Sequence, residues 1–153
     1  MSILETKIPP PIVAAICGLA MWAIASVAPL IEVSATVRMV LAGSISSFAA
    51  FFDIAGLISF WQAKTTINPL NPENTSSLVS SGIYGVSRNP MYVGLVFLLV
   101  AWMVYLSSPW SSIGVFGFIF YVNQFQIIPE ERTLTTLFGD QFLSYQAKVR
   151  RWL

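Results

Sequence analysis

The sequence predicts an all-α polytopic membrane protein with four transmembrane helices, an ordered cytoplasmic loop and a C-terminal interfacial helix. Three observations carry that reading. The 153 residues are 56% hydrophobic and only 10% charged, against roughly 25% charged residues in soluble domains. The apolar residues gather into runs long enough to cross a bilayer, and the basic residues cluster at one set of run ends. The length suits a single domain over 1–153.

The first span runs over about 12–31 and holds no charged residue. About twenty residues rising 1.5 Å each cover the roughly 30 Å of a hydrocarbon core. Lys7 and Ala23-Ile24-Ala25 also resemble a signal peptide with its cleavage site, but the apolar run continues through Val27 to Ile31 and further spans follow. The second span, about 37–61, is interrupted only by Arg38 at its start and by Asp53. Within it Ala42, Ser46 and Ala50 recur every four residues, as do Gly43 and Ser47, a spacing at which small residues let helices pack closely.

The third span covers 91–108 and the fourth, after Pro109, covers 110–128. Between the second and third lies a loop over 62–90 rich in turn formers, with enough apolar side chains, such as Ile67, Leu78, Ile83 and Tyr84, to pack down as a cap. The tail over 129–153 opens with Pro129, which disfavours helix at Ile128 and should start a new helix. Its apolar residues Leu134, Leu137, Phe138, Phe142, Tyr145 and Val149 recur at three and four, with Gly139-Asp140 as a stop and restart. Such a helix lies along the membrane surface with its apolar side buried.

Lys and Arg near span ends set orientation. Lys7, Lys64, Arg88, Arg132, Lys148, Arg150 and Arg151 share one side, and Arg38 stands alone on the other. Both termini and the long loop are therefore expected in the cytoplasm, with Lys148, Arg150 and Arg151 facing lipid phosphates.

The chain has no His and one Cys. That composition excludes a histidine general base, a Ser/His/Asp or Cys/His triad, a Cys/His zinc tetrad and an internal disulfide. Cys17, in an apolar run, reads as an inert buried thiol. A net charge of +1 without charge runs gives nucleic acid no basic arm to bind. No internal repeat supports an inverted-repeat transporter.

The polar residues converge instead on one cytoplasmic face. Asn89 and Pro90 suit the N-cap and first position of the third helix. A helix start offers unpaired N–H groups and partial positive charge, and Arg88 adds a full charge, so an anion site is expected there, unless Arg88 is only a positive-inside anchor. Gly94, one turn in, leaves room for a ligand or another helix. The hairpin of the third and fourth spans returns Glu130 and Glu131 to the same face. An anion site beside a carboxylate pair suits a ligand with charges of both signs, such as S-adenosylmethionine or a zwitterionic lipid headgroup.

The run Gly82-Ile83-Tyr84-Gly85-Val86-Ser87-Arg88-Asn89-Pro90-Met91-Tyr92-Val93-Gly94, followed by Pro129-Glu130-Glu131-Arg132-Thr133-Leu134 and Leu137-Phe138-Gly139-Asp140-Gln141-Phe142-Leu143-Ser144-Tyr145, resembles the paired signature of the isoprenylcysteine carboxyl methyltransferase and phospholipid methyltransferase superfamily. The resemblance implies a membrane enzyme that transfers methyl from S-adenosylmethionine on the cytoplasmic side to a lipid or lipidated acceptor arriving from the bilayer. It implies catalytic roles for Arg88 and Glu131, and a cofactor site built from Tyr84, Arg88, Asn89, Pro90, Tyr92, Gly94, Glu130 and Glu131, with no metal. Asn89 stands where the eukaryotic isoprenylcysteine enzymes have His. Without that imidazole, an acceptor that is already anionic or readily deprotonated is favoured, since an amine would need Glu130 or Glu131 to take its proton.

Two other functions compete on sequence. Asp53, an acid inside a span, suits a small proton- or cation-coupled transporter; paired with Lys64 or Arg88, or bonded to a neighbouring helix, it would be structural. A sterol-reductase-like enzyme using NADPH would require a dinucleotide-binding glycine pattern, which the sequence lacks.

Overall fold

The computed structural model describes residues 7–63 and 77–153, and in these it is all helical. Helix α1 (Pro10–Val27) leads through a turn to the long α2 (Ala35–Ala63). A short 3-10 turn (Gly82–Gly85) precedes α3 (Pro90–Leu106), and a second one (Pro109–Ser111) joins it to α4 (Ser112–Val122). A single π turn (Asn123–Ile127) carries the chain into α5 (Ile128–Phe138), and α6 (Asp140–Lys148) follows. Among the described residues, three helical runs are long and apolar enough to cross a membrane: α1, α2 and the stretch Pro109–Phe138. Helix α3 is equally apolar but has 17 residues. The part of the expected loop over 64–76 lies outside the described residues.

Prolines and one left-handed residue correct the expected boundaries. Helix α1 starts within the Pro9-Pro10-Pro11 run, where a missing N–H costs nothing. It ends at Val27 rather than Ile31, because Pro29 forces Ala28 into extended backbone (φ −92°, ψ 156°). Helix α3 ends at Leu106 rather than 108. Ser107 caps it in the left-handed region (φ 53°), and Ser108 is extended ahead of Pro109.

The expected break at Ile128–Pro129 does not occur. Ile128 is helical (φ −61°, ψ −46°), and its N–H bonds to the carbonyl of Asn123, five residues back. The widened π turn accommodates the proline that would otherwise collide with the preceding turn, so α4, the π turn and α5 form one rod. The break falls at Gly139 instead, whose φ of +49° a side chain would strain.

Helix α2 packs along α3, while α1 lies against α3 and α4. The face α2 buries is Ala42, Ala49 and Gly56, with Phe52 and Ser59, whereas Gly43, Ser47 and Ala50 are exposed. The four-residue rows expected from sequence are therefore not the packing face. Each four-residue step rotates about 40° around a helix, whereas a seven-residue step drifts by only about 20° and keeps facing one neighbour.

The core is Val13, Met21, Leu99, Val115, Phe118, Val122 and Ile127, with Cys17 partly buried against it. Side chains of the hairpin stitch α1 and its lead-in to this core. Trp102 Nε1 donates to Gly18 O at 3.0 Å, Ser111 Oγ to Met21 O at 2.9 Å, and Gln126 Nε2 to Ile8 O at 2.8 Å. At the far end Ile31 N donates to Ser107 O at 2.9 Å, fixing the α1–α2 turn to the α3–α4 turn.

Helices α1 and α4 touch where residue 114 has no side chain. A Cβ there would overlap Met21 Cγ and stand 3.3 Å from Cys17 O, while one on Gly117 meets nothing within 4 Å. Gly114→Val should lower the melting temperature in detergent by the equivalent of about 1–3 kcal/mol. Gly117→Val, with the same helix propensity, should leave packing intact; equal melting of the two variants would refute this account.

Candidate functional site

At the start of α3 the chain makes a compact polar knot. Ser87 Oγ accepts from Asn89 N at 3.1 Å, and Asn89 and Pro90 occupy the N-cap and first position of the helix. The Asn89 side chain makes no cap bond; its Nδ2 donates instead to Arg151 O at 2.9 Å. Arg88 N donates to Arg150 O at 3.0 Å. The segment after α6 is thus laid across the start of α3, with Trp152 packed on the core.

Glu131 draws the charges together. Arg88 Nη1 stands 3.2 Å from its Oε1, and Arg151 forms a two-pronged pair, Nε to Oε1 at 3.1 Å and Nη2 to Oε2 at 2.6 Å. The side chains of Arg88 and Glu131 are 10% and 14% exposed, that of Arg151 36%. Arg151 therefore does not face lipid phosphates as expected: its guanidinium matches a carboxylate fork that is already part-buried and close by. Arg88 keeps its buried Nε without a hydrogen-bond partner.

Glu130, one residue earlier, points to α3, where Tyr92 OH donates to its Oε1 at 2.6 Å. Tyr145 OH donates to Tyr84 O at 2.7 Å, closing α6 over the 3-10 turn, and the Tyr84 ring meets Phe60 of α2 edge to face at 5.4 Å. Burial pushes the Tyr145 phenol up to about 12, against a smaller downward pull from Arg88. Burial, then Tyr145 and Glu130, raises Tyr84 further. Both rings stay protonated at neutral pH.

These groups surround one cavity of about 490 Å³, within the range of small-molecule sites. Of the residues expected from sequence, Tyr84, Arg88, Asn89, Tyr92, Glu130 and Glu131 line it. Pro90 and Gly94 do not; they are buried behind it, Pro90 shaping the helix start and Gly94 receiving a neighbour. That neighbour is Asp53, whose carboxylate occupies the space a Cβ at 94 would fill. Asp53 is not paired with Arg88, whose charge is committed to Glu131, and Lys64 lies outside the described residues.

Sequence reasoning missed Phe142, Tyr145, Phe60 and Leu95 as walls, and Arg151 as the second partner of Glu131. The three-and-four spacing signalled a buried face for Phe142 and Tyr145 but not what it would cover.

Glu131→Gln leaves two guanidiniums without their counter-ion, so it should destabilise the protein by on the order of 3 kcal/mol. Arg151→Ala, at a more exposed position, should cost about 1 kcal/mol. Thermal melting in detergent checks the order, which the pairing requires. Tyr145→Phe should cost about 1 kcal/mol at pH 7 by orphaning the Tyr84 carbonyl. Because folding raises this phenol from its ordinary 10 to about 12, the wild type should lose stability between those pH values, and the variant should decline less over that window.

Comparison with known proteins identifies the family. A model of the phospholipid methyltransferase family matches residues 37–141. The chain is 46% identical over 63 residues to an uncharacterized protein of Haemophilus influenzae, covering 41% of this chain and all of that one. It is 32% identical over 96 residues to protein-S-isoprenylcysteine O-methyltransferase A of Arabidopsis thaliana, covering 62% of this chain and 48% of the plant protein. To the human protein-S-isoprenylcysteine O-methyltransferase it is 29% identical over 76 residues, half of this chain and 27% of the other. The chain thus spans about half the length of the plant relative and about a quarter of the human one. No solved structure matches. With 37–141 taking in nearly all of α2 together with α3, α4, the π turn and α5, the chain belongs to the phospholipid methyltransferase family.

Proposed function

We propose that this protein transfers a methyl group from S-adenosylmethionine to a lipid or lipidated acceptor at the cytoplasmic face of a membrane. The observation that carries the reading is the buried Arg88 guanidinium, with an unpartnered Nε, set beside Glu131 in the wall of the 490 Å³ cavity. A ligand carrying a carboxylate, an ammonium and a sulfonium matches that donor set. Arg88 holds the carboxylate, Glu130 and Glu131 face the positive groups, and Tyr84, Asn89 and Tyr92 complete the wall. Membership of the family and the methyltransferase names of the relatives support the same class of chemistry.

When bound, the cofactor supplies a methyl group activated by its sulfonium. The protein's part is alignment and exclusion of water, since the displacement needs an in-line acceptor and little else. Phe60, Leu95, Leu134 and Phe142 give the cavity apolar walls for that purpose. Tyr92, donating to Glu130, fixes that carboxylate and satisfies one of its lone pairs.

In this reading α3 crosses the membrane as a fourth span and both termini are cytoplasmic, as the seven-to-one placement of basic residues favours. Helix α6, with its apolar side on the cavity, lies at the interface and caps the site. The acceptor enters from the bilayer.

Tritiated S-adenosylmethionine should bind the detergent-purified protein, and Arg88→Ala and Glu131→Gln should each weaken binding by at least about tenfold, roughly 1.4 kcal/mol. Wild-type binding no tighter than that of both variants would remove the proposal.

A further inference from the structure

Asp53 is a carboxylate about two-thirds of the way along α2, one of the helices long and apolar enough to cross a membrane. Ionisable groups at such positions are costly and are retained where they act on something. Among the described residues no hydrogen bond or ion pair engages its side chain. Arg88 faces Glu131, and Arg38, the other charge of α2, donates to Tyr105 O near the far end of the helix pair. The carboxylate is nevertheless held in place: it rests on the backbone of α3 at Gly94, where any side chain would evict it.

Its position separates it from the polar knot. Gly94 follows Pro90 by four residues, about 6 Å down the axis of α3. Asp53 thus stands one turn deeper in the bundle, on the wall of the same cavity. Of the three carboxylates in the cavity walls, Glu131 is matched by Arg88 and Arg151, which leaves Asp53 and Glu130 without an ion pair among the described residues. An anionic headgroup at that depth meets a like charge in apolar surroundings, whereas an ammonium gains a charge-assisted hydrogen bond.

We infer that Asp53 is a specificity-determining residue that binds the ammonium or amine headgroup of the acceptor. The inference rests on the lipid-acceptor reading above and narrows it to an amine-headed amphiphile. It reverses the preference for an anionic acceptor that the missing histidine suggested, and it differs from the O-methylation in the names of the isoprenylcysteine relatives.

Dodecylamine and dodecanoate share one chain length and differ in headgroup charge, so the full-length protein in detergent can be melted with each. Dodecylamine should raise the wild-type melting temperature by about 3 °C more than dodecanoate does. The isosteric Asp53→Asn should abolish that difference, and Gly94→Ala, which displaces the carboxylate, should reduce it. Binding of S-adenosylhomocysteine to Asp53→Asn should stay within about twofold of wild type. Equal wild-type shifts, or a preference that survives in Asp53→Asn, would overturn the inference. Nucleotide binding lost in Asp53→Asn as in Arg88→Ala would overturn it too, by assigning Asp53 to the cofactor. Absence of nucleotide binding by the wild type, with the amphiphile preference intact, would instead count against the methyl-donor reading alone.

Discussion

The carboxylate of Glu131 binds three separate parts of the chain. It receives Arg88 from the start of α3 and Arg151 from beyond α6 while itself riding on α5. Each guanidinium is part-buried, so neither can be left without a counter-ion at small cost. The backbone repeats the same joint, with Arg88 N and the Asn89 amide both bonded to carbonyls of Arg150 and Arg151. This wall of the cavity is therefore held by charge satisfaction, whereas the helices behind it are held by close packing.

That division follows from the solvent. Within a bilayer, apolar contact between helices gains little over contact with lipid, so α1 and α4 meet through a missing side chain at Gly114 and a few donated hydrogen bonds. At the Arg88 end of the bundle carboxylate, guanidinium and phenol take over. Tyr92 bridges the regimes: its ring belongs to the helix hairpin and its hydroxyl to Glu130.

Much of this was legible in the residues. Asn89-Pro90 marked the start of α3, and an apolar hairpin of two helices returned Glu130 and Glu131 to Arg88. Those inferences need only helix length and chain direction. What failed depended on lateral register or on long-range partners. The stripe on α2 was misread because four-step and seven-step rows look alike in sequence and differ only once a neighbour's crossing angle is known. Arg151 was assigned to lipid because terminal basic residues ordinarily face headgroups; nothing local announces that a carboxylate twenty residues earlier will be within reach. Pro129 promised a break, and the π turn before it absorbed the conflict. The resemblance gave the roles for Arg88 and Glu131 but was silent on Asp53, whose contact with Gly94 arises from how two helices rotate against each other.

A π turn is a regular helix that has taken in one surplus residue. Over Asn123–Ile127 that surplus sits immediately upstream of the glutamate pair. Rewinding this stretch as regular helix with all its residues kept would swing everything downstream through about 100°, turning both acids off the face that meets α3. The bulge thus works as an angular shim, setting the direction in which both acids leave an otherwise continuous helical rod.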